Sequence, residues 1–212
     1  MTVELGTMAE LLIKGKMDEV GKMTSQAIEE GMDPSEILHK GLIAGMDVVG
    51  QRFKAGDMFI PEVLRSARSM AAGMEQLRPK LAESGVKMAG SMVIGTVKKD
   101  LHDIGKNLVS MMFEGAGFKV INLGIDVETQ VFVDAVKEHK PELLGISALL
   151  TTTMPRMGEI VNALKEAGIR DQVKVMVGGA PVTEEFALEI GADIYGANAA
   201  SSVDKAKEAL GI

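Results

Sequence analysis

The sequence predicts an α + α/β protein, with an N-terminal four-helix bundle over residues 1–86 followed by a five-stranded parallel sheet over residues 87–212. Two observations support this fold class. Up to about residue 84, apolar residues recur every three or four positions, which is the helical period. From residue 91 onward, short apolar runs alternate with amphipathic stretches, a pattern typical of parallel strands joined by helices that cover both faces of a sheet.

Four amphipathic segments with short connections make up the predicted bundle. The first two span 4–13 and 17–28. Asp33 is the predicted N-cap of the third, with Pro34 at its first helical position, and Pro61 opens the fourth. Leu81–Lys87 follows as the predicted linker, because it contains glycine and small polar residues and the hydrophobic period changes after it.

Five βα units follow the linker. The predicted strands are 91–97, 119–123, 143–147, 174–178 and 193–195, and the predicted helices are 104–115, 129–139, 154–167, 183–190 and 199–210. For a sheet of this size, the flavodoxin-like (Rossmann-type) strand order 2-1-3-4-5 is favoured.

Composition and charge exclude several functions. The net charge of −7 argues against a nucleic-acid partner, which requires a basic face. No apolar run is long enough to cross a membrane, and the N-terminus lacks a signal-peptide pattern. The chain has no cysteine, which excludes disulfides, cysteine zinc sites and thiol nucleophiles. These features predict a cytoplasmic protein with no membrane and no nucleic-acid partner.

The chemically informative residues follow the first predicted strand. Asp100, His102 and Gly105 lie on a strand-to-helix loop, at the sheet edge where open α/β proteins bind ligands. Asp100 is close enough in sequence to His102 to bond its ring and set its tautomer, as expected beside a metal-ligating imidazole. Gly105 allows the close approach of a bulky group. Asp103 is interpreted as the cap of the following helix.

Three common sites fit this edge of the sheet poorly or not at all. A response-receiver domain needs an aspartate at the end of the third strand, where Ser147 stands, and the loop after the first strand lacks the hydroxyls of a flavodoxin phosphate loop. A Ser-His-Asp hydrolase made of Ser147, His102 and Asp100 is formally open, but Ser147 is not on a GxSxG elbow. His39 and His139 are interpreted as surface or capping residues.

Three motifs together resemble the cobalamin-binding signature. They are Asp-x-His-x-x-Gly at 100–105, Ser-x-Leu at Ser147 and Leu149, and the pair Gly178-Gly179. The segment QRFKAGDMFIPEV at 51–63 resembles the cap bundle of cobalamin-dependent methionine synthase and of the small corrinoid proteins of methyltransferase systems. The resemblance covers the chain from about residue 5 to 210.

The resemblance implies cobalamin or a related corrinoid as cofactor, bound base-off and His-on, with His102 as the axial ligand of cobalt. Asp100 and Thr153 would form a proton relay with His102. The other implied cofactor-binding residues are Asp103, Gly105, Ser147, Leu149, Thr151, Gly178, Gly179 and Ala199, with Phe53, Ile60 and Val63 as the cap over the upper face of the corrin.

The implied function is methyl transport without independent catalytic activity. A substrate-specific methyltransferase would load Co(I), and the methylcobalamin form would pass the methyl group to a second methyltransferase that serves tetrahydrofolate or a thiol, with a reductive activation protein as a further partner. Methylamines, methoxylated aromatics, methanol and betaines all stay open as donors. The alternative functions are a cobalamin-dependent regulatory or sensor module, the cobalamin-binding subunit of a radical mutase, and a cobalt-free α/β domain.

Overall fold

The computed structural model describes residues 3–86 and 88–212, and its chain divides into two compact units. The first, the helical unit, runs to Met88 and includes Glu114–Gly117. The second, the α/β unit, consists of Ala89–Phe113 and Phe118–Ile212. No helix in the described ranges combines the length and the apolar character that a membrane crossing requires.

The helical unit contains α1 (Leu5–Ile13), α2 (Met17–Glu29), α3 (Pro34–Glu36), a π-helical segment (Ile37–Ile43), α4 (Ala44–Ala55) and α5 (Ile60–Ser84). The pieces from α3 to α4 follow one another along the chain without a break. The start of α3 is as predicted, because Asp33 Oδ1 accepts a hydrogen bond from the Ser35 amide at 2.8 Å, with Pro34 in the first turn.

The core of the helical unit is closely packed. Met8 and Leu12 of α1 and Leu77 of α5 are fully buried. A Cβ placed on Gly73 of α5 would lie 2.7 Å from Leu42 Cδ2. The absence of a side chain at this glycine therefore allows α5 to approach the π-helical segment closely.

Helix α5 is longer than the sequence predicts. Leu81–Ser84, expected in the linker, forms its last turn, and the helix ends at Gly85 with φ of +68°. The reason is that Leu77 and Leu81, both buried, continue the helical spacing of the preceding turns. Lys87, the last residue of the expected linker, lies outside the described residues.

The α/β unit alternates strands with helices throughout. Its strands are β1 (Gly90–Thr96), β2 (Phe118–Asn122), β3 (Leu143–Ser147), β4 (Lys174–Gly178) and β5 (Ile194–Gly196), and its helices are α6 (Ile104–Gly115), α7 (Thr129–His139), α8 (Pro155–Glu166), α9 (Glu184–Ile190) and α10 (Ala199–Leu210). The last two residues of α6, Glu114 and Gly115, belong to the helical unit. The parallel strand order β2-β1-β3-β4-β5 confirms the predicted flavodoxin-like sheet. Relative to the prediction, β1 and β2 are shifted by one residue toward the N-terminus and β5 by one residue toward the C-terminus.

The carboxyl ends of four strands lie side by side. Thr96 of β1 is paired with Ser147 of β3, Ser147 with Gly178 of β4, and Gly178 with Gly196 of β5. Beneath this row, a continuous apolar core joins β1, β3 and β4 to α7 and α8, including Phe132. A row of small residues therefore crosses the sheet at the edge where open α/β proteins bind ligands.

Arg170 attaches β5 to the rest of the sheet. Its guanidinium donates to the Gly191 carbonyl at 2.6 Å and to Asp193 Oδ2 at 2.7 Å, and the same oxygen accepts from the Val175 amide at 2.7 Å. Both charged side chains are largely buried. We expect Arg170→Met to lower the free energy of unfolding by about 2 kcal/mol, the range for hydrogen bonds to a charged group. Urea denaturation followed by circular dichroism measures this change.

Arg156→Met is the matched control for this prediction. It removes an exposed pair with Glu159 at 2.8 Å, which is expected to contribute less than about 0.5 kcal/mol. Equal losses in the two variants would contradict the role given to Arg170.

Candidate functional site

The loop between β1 and α6 is held in place by side-chain contacts on both sides of His102. Thr96 Oγ1 donates to the His102 carbonyl at 2.9 Å. The Asp103 carbonyl accepts from the Asn107 amide at 2.7 Å, and its carboxylate accepts from Asn107 Nδ2 at 2.9 Å. Asp103 therefore stabilises the first turn of α6 through both bonds to Asn107. Thr96, the last residue of β1, holds the backbone of His102.

Asp100 is the most highly bonded residue of this loop. Its side chain is fully buried, and its carboxylate accepts from His102 Nδ1 at 2.7 Å, from the His102 amide at 3.1 Å, from the Leu149 amide at 2.7 Å and from Thr153 Oγ1 at 2.7 Å. Burial raises the pKa of Asp100, but the hydrogen bonds outweigh burial and hold that pKa well below its usual value. The carboxylate is therefore ionised at neutral pH.

The ionised carboxylate fixes the tautomer of His102. Because a carboxylate only accepts hydrogen bonds, Nδ1 of His102 carries the proton and Nε2 keeps its lone pair. The side chain is 49% exposed, and no residue within 3–86 or 88–212 forms a hydrogen bond with Nε2. His102 thus presents a nitrogen that is chemically ready to bind a metal ion.

Thr153 connects Asp100 to the loop after β3. Its Oγ1 lies 2.7 Å from Asp100 Oδ2 and 2.9 Å from the Leu150 carbonyl, and its single proton can serve only one of these acceptors at a time. Together with the Leu149 amide, this hydroxyl attaches the β3 loop to the histidine loop. The structure therefore brings together Asp100, His102, Leu149 and Thr153.

The surface beside His102 is apolar and open. Leu101 is 68% exposed and Ile104 is 75% exposed, and Leu149 is exposed as well. A Cβ placed on Gly105 would meet no atom within 4 Å. Because these three exposed apolar side chains lie on or next to the two loops joined at Asp100, they favour a binding surface beside His102. An apolar surface next to one available imidazole nitrogen fits a large macrocycle whose metal has one coordination position left for a protein ligand, such as a corrinoid.

Ser147, Gly178 and Gly179 lie along the same sheet edge. Ser147 and Gly178 are paired at the ends of neighbouring strands. Gly179 has a φ of +139°, and a Cβ there would lie 1.8 Å from the Ala148 carbonyl oxygen. The protein itself therefore needs a glycine at this position, because two loops meet there.

The other predicted site residues differ in their exposure. Thr151 is exposed, and Ala199, the first residue of α10, is buried. In the helical unit, Phe53 is half-buried, Ile60 is exposed and Val63 is fully buried. Of the three predicted cap residues, only Phe53 and Ile60 have surface available to a ligand.

Sequence reasoning missed Thr96 and Asp126, which both support the histidine loop. The Asp126 amide donates to the Asp100 carbonyl at 3.1 Å, and Asp126 Oδ1 accepts from the Lys99 amide at 2.8 Å. Asp126 follows β2, so it lies at the same carboxyl edge as the other loops. That position is the signal that could have identified it.

Comparison with protein-family models matches both parts of the chain. A model described as B12 binding domain matches residues 90–204, and a second model of the same description matches residues 5–78.

Two relatives and one solved structure span most of the chain. Trimethylamine corrinoid protein 1 of Methanosarcina mazei is 49% identical over 191 residues, which cover 89% of this chain and 88% of that protein. The dimethylamine corrinoid protein of Methanosarcina barkeri is 47% identical over 208 residues, or 97% of each chain. The crystal structure of the methanol:cobalamin methyltransferase complex MtaBC from Methanosarcina barkeri matches with a TM-score of 0.88 at 32% identity, covering 96% of this chain and 78% of the matched chain.

Proposed function

Because the chain belongs to the family of B12-binding corrinoid proteins, we propose that it carries a methyl group between two methyltransferases on a corrinoid bound base-off and His-on. The observation that carries this proposal is the Asp100–His102 pair. The buried, ionised carboxylate holds Nδ1 at 2.7 Å and leaves Nε2 free beside an exposed apolar surface. This arrangement suits a cobalt ligand of controlled basicity.

The polar residues have separate tasks in this proposal. When bound, the corrinoid supplies a cobalt centre that accepts and donates the methyl group as its oxidation state changes. His102 would bind cobalt through Nε2, the ring nitrogen that Asp100 leaves free. Asp100 would keep the proton on Nδ1 and hold the ring in this orientation, because its carboxylate accepts from Nδ1 at 2.7 Å. Thr153, bonded to Asp100 Oδ2, completes the relay.

Further residues are assigned by the same proposal. The nucleotide tail of the corrinoid would follow the edge formed by Ser147, Leu149, Thr151, Gly178, Gly179 and Ala199. Gly105 would lie under the corrin ring, since the space beside it is open. Phe53 and Ile60 would supply the apolar cap that shields the upper face of the ring.

The relatives support a methylated amine as the methyl donor. Two of them are named for trimethylamine and dimethylamine, and the matched structure is a complex with a methyltransferase. The proposed partners are a substrate-specific amine methyltransferase, a second methyltransferase that serves a thiol or tetrahydrofolate, and a reductive activation protein. The cysteine-free sequence favours a cytoplasmic location for this system.

Reconstitution with hydroxocobalamin tests the central claim. After reduction to Co(II), the wild type is expected to show nitrogen superhyperfine splitting from His102 in its electron paramagnetic resonance spectrum, together with the absorption bands of a nitrogen-ligated corrinoid. His102→Ala is expected to lose the splitting completely, since no other imidazole would reach the cobalt.

His139→Ala is the matched control, because His139 is a partly exposed histidine at the end of α7. Its spectrum is expected to equal that of the wild type. A splitting that survives in His102→Ala, or a wild type that binds no corrinoid, would contradict the proposed ligand.

A further inference from the structure

We propose that Asp126 is a positioning residue for the cobalt ligand, holding the loop from Lys98 to Asp100 so that His102 is presented in one orientation. This inference rests on the proposed role of His102 as the axial ligand. Asp126 belongs to the loop after β2 and does not belong to the cobalamin-binding motifs.

Asp126 contacts the histidine loop through both its side chain and its backbone. Its Oδ1 accepts from the Lys99 amide at 2.8 Å, and its own amide donates to the Asp100 carbonyl at 3.1 Å. One residue further, the Val127 amide donates to the Thr96 carbonyl at 3.0 Å. The loop after β2 is therefore hydrogen-bonded to Lys99 and to Asp100 itself.

These hydrogen bonds matter because the backbone of Lys99 is strained. Lys99 has a φ of +66° and Asp126 a φ of +55°, both in the left-handed region. Aspartate enters this region more readily than most residues, whereas lysine adopts it only at an energetic cost. The hydrogen bond from the Lys99 amide to Asp126 offsets this cost, and the sharp turn at Lys99 brings the Asp100 carboxylate into its buried position.

The ion pairs around Asp126 do not account for this role. Lys98 Nζ lies 3.3 Å from Asp126 Oδ2 and 3.1 Å from Glu128 Oε1, and all three side chains are about a third exposed or more. Exposed pairs of this kind contribute little. The contact that distinguishes Asp126 from Glu128 is therefore the one to the loop backbone.

Loss of the hydrogen bond between the Lys99 amide and Asp126 would affect the cobalt ligand through Asp100. If Lys99 relaxes to an ordinary φ, the Asp100 carboxylate moves relative to the Leu149 amide and the Thr153 hydroxyl, which now fix it. Nδ1 of His102 follows that carboxylate. Substitution of a residue that orients a metal ligand in this indirect way typically lowers metal affinity or activity by about 10- to 100-fold.

The experiment compares three variants loaded with hydroxocobalamin and reduced to Co(II). Asp126→Gly removes the carboxylate and still permits a φ of +55°. Asp126→Asn keeps an acceptor for the Lys99 amide and removes the charge. Glu128→Ala removes the other carboxylate that pairs with Lys98. The readouts are the fraction of cobalt that shows nitrogen superhyperfine splitting and the dissociation constant for the corrinoid.

Asp126→Gly is expected to weaken corrinoid binding about 10- to 100-fold and to reduce the nitrogen-ligated fraction. Asp126→Asn and Glu128→Ala are expected to stay within about threefold of the wild type. Asp126→Gly binding as tightly as Glu128→Ala, with full splitting, would overturn the inference, and so would Asp126→Asn failing as severely as Asp126→Gly. A wild type without splitting would instead overturn the proposed ligand.

Lys99→Val tests the same contact from the other side and serves if Asp126→Gly does not fold. A β-branched residue strongly disfavours the left-handed region, so this variant should lose nitrogen ligation although Asp126 is intact. Lys98→Val, which removes only the exposed ion pairs, is its control. Equal spectra for the two lysine variants would contradict the role of the Lys99 turn.

Discussion

Replacing Asp100 by alanine is expected to lower the free energy of unfolding of the cofactor-free protein by about 3–5 kcal/mol and to weaken corrinoid binding about 10- to 100-fold. The substitution removes the acceptor of four hydrogen bonds from a fully buried position. The Leu149 amide then has no partner there, and the Thr153 hydroxyl keeps only the Leu150 carbonyl. His102 loses the group that fixes its tautomer.

Asp100→Asn is expected to impair the binding of cobalt by His102 for a more specific reason. If its Nδ2 faces the Leu149 amide, two donors oppose each other. If its Nδ2 faces His102, Nδ1 must become the acceptor and the proton moves to Nε2, the atom proposed to bind cobalt. The second arrangement should remove nitrogen splitting from part of the Co(II) population, and the first should displace the loop after β3, even though the shape of the side chain is kept.

The pH dependence of the alanine variant gives a check with a definite sign. Because the folded pKa of Asp100 lies below its ordinary value of about 4, its stabilising effect is complete above about pH 4 and is lost as the pH falls toward the folded pKa. The stability difference between wild type and Asp100→Ala should therefore begin to shrink only below about pH 4. Urea denaturation across a pH series measures this difference.

Asp134→Ala is the control for the stability measurement. Asp134 is exposed and accepts only from Gln130 Nε2 at 2.8 Å among the contacts of the described chain, so its removal should cost less than about 0.5 kcal/mol. A loss for Asp100→Ala no larger than the loss for Asp134→Ala would contradict the central place given to Asp100.

Much of this architecture is encoded locally, and those parts could be predicted. Strand order follows from apolar runs separated by helices, and the bounds of α6, α7 and α10 coincide with the predicted ones because periodicity and end signals agree there. Asp100 and His102 are two residues apart, so their contact is short-range in sequence. Sequence reasoning works best where the residues that decide the structure are neighbours.

The remaining features depend on contacts between distant residues. The Leu149 amide and the Thr153 hydroxyl reach Asp100 only because β3 lies beside β1 in the sheet. The left-handed turn at Lys99 depends on an acceptor 27 positions away. Neither leaves a local signal, since lysine has no preference for a positive φ. The end of α5 was missed for the opposite reason, because glycine suggested a linker while buried leucines extended the helix.

Gly179→Ala is expected to lower stability and Gly105→Ala to lower corrinoid affinity, although both glycines belong to the same binding signature. A Cβ at Gly179 would lie 1.8 Å from the Ala148 carbonyl oxygen, on a backbone with φ of +139°. We expect this variant to lose about 3–5 kcal/mol of unfolding free energy from strain and backbone displacement, whether or not a corrinoid is present. Urea denaturation of the cofactor-free protein measures this loss.

Gly105→Ala should leave the cofactor-free protein as stable as the wild type, or up to about 1 kcal/mol more stable, because it adds a better helix former to the first turn of α6 where no atom lies within 4 Å. Its defect should appear only in the dissociation constant for hydroxocobalamin, since the added methyl group would occupy space proposed for the corrin ring. A variant that binds corrinoid as tightly as the wild type would show that the ring does not lie against α6. One glycine is then required by the fold and the other by the ligand, and only the pair of measurements separates the two requirements.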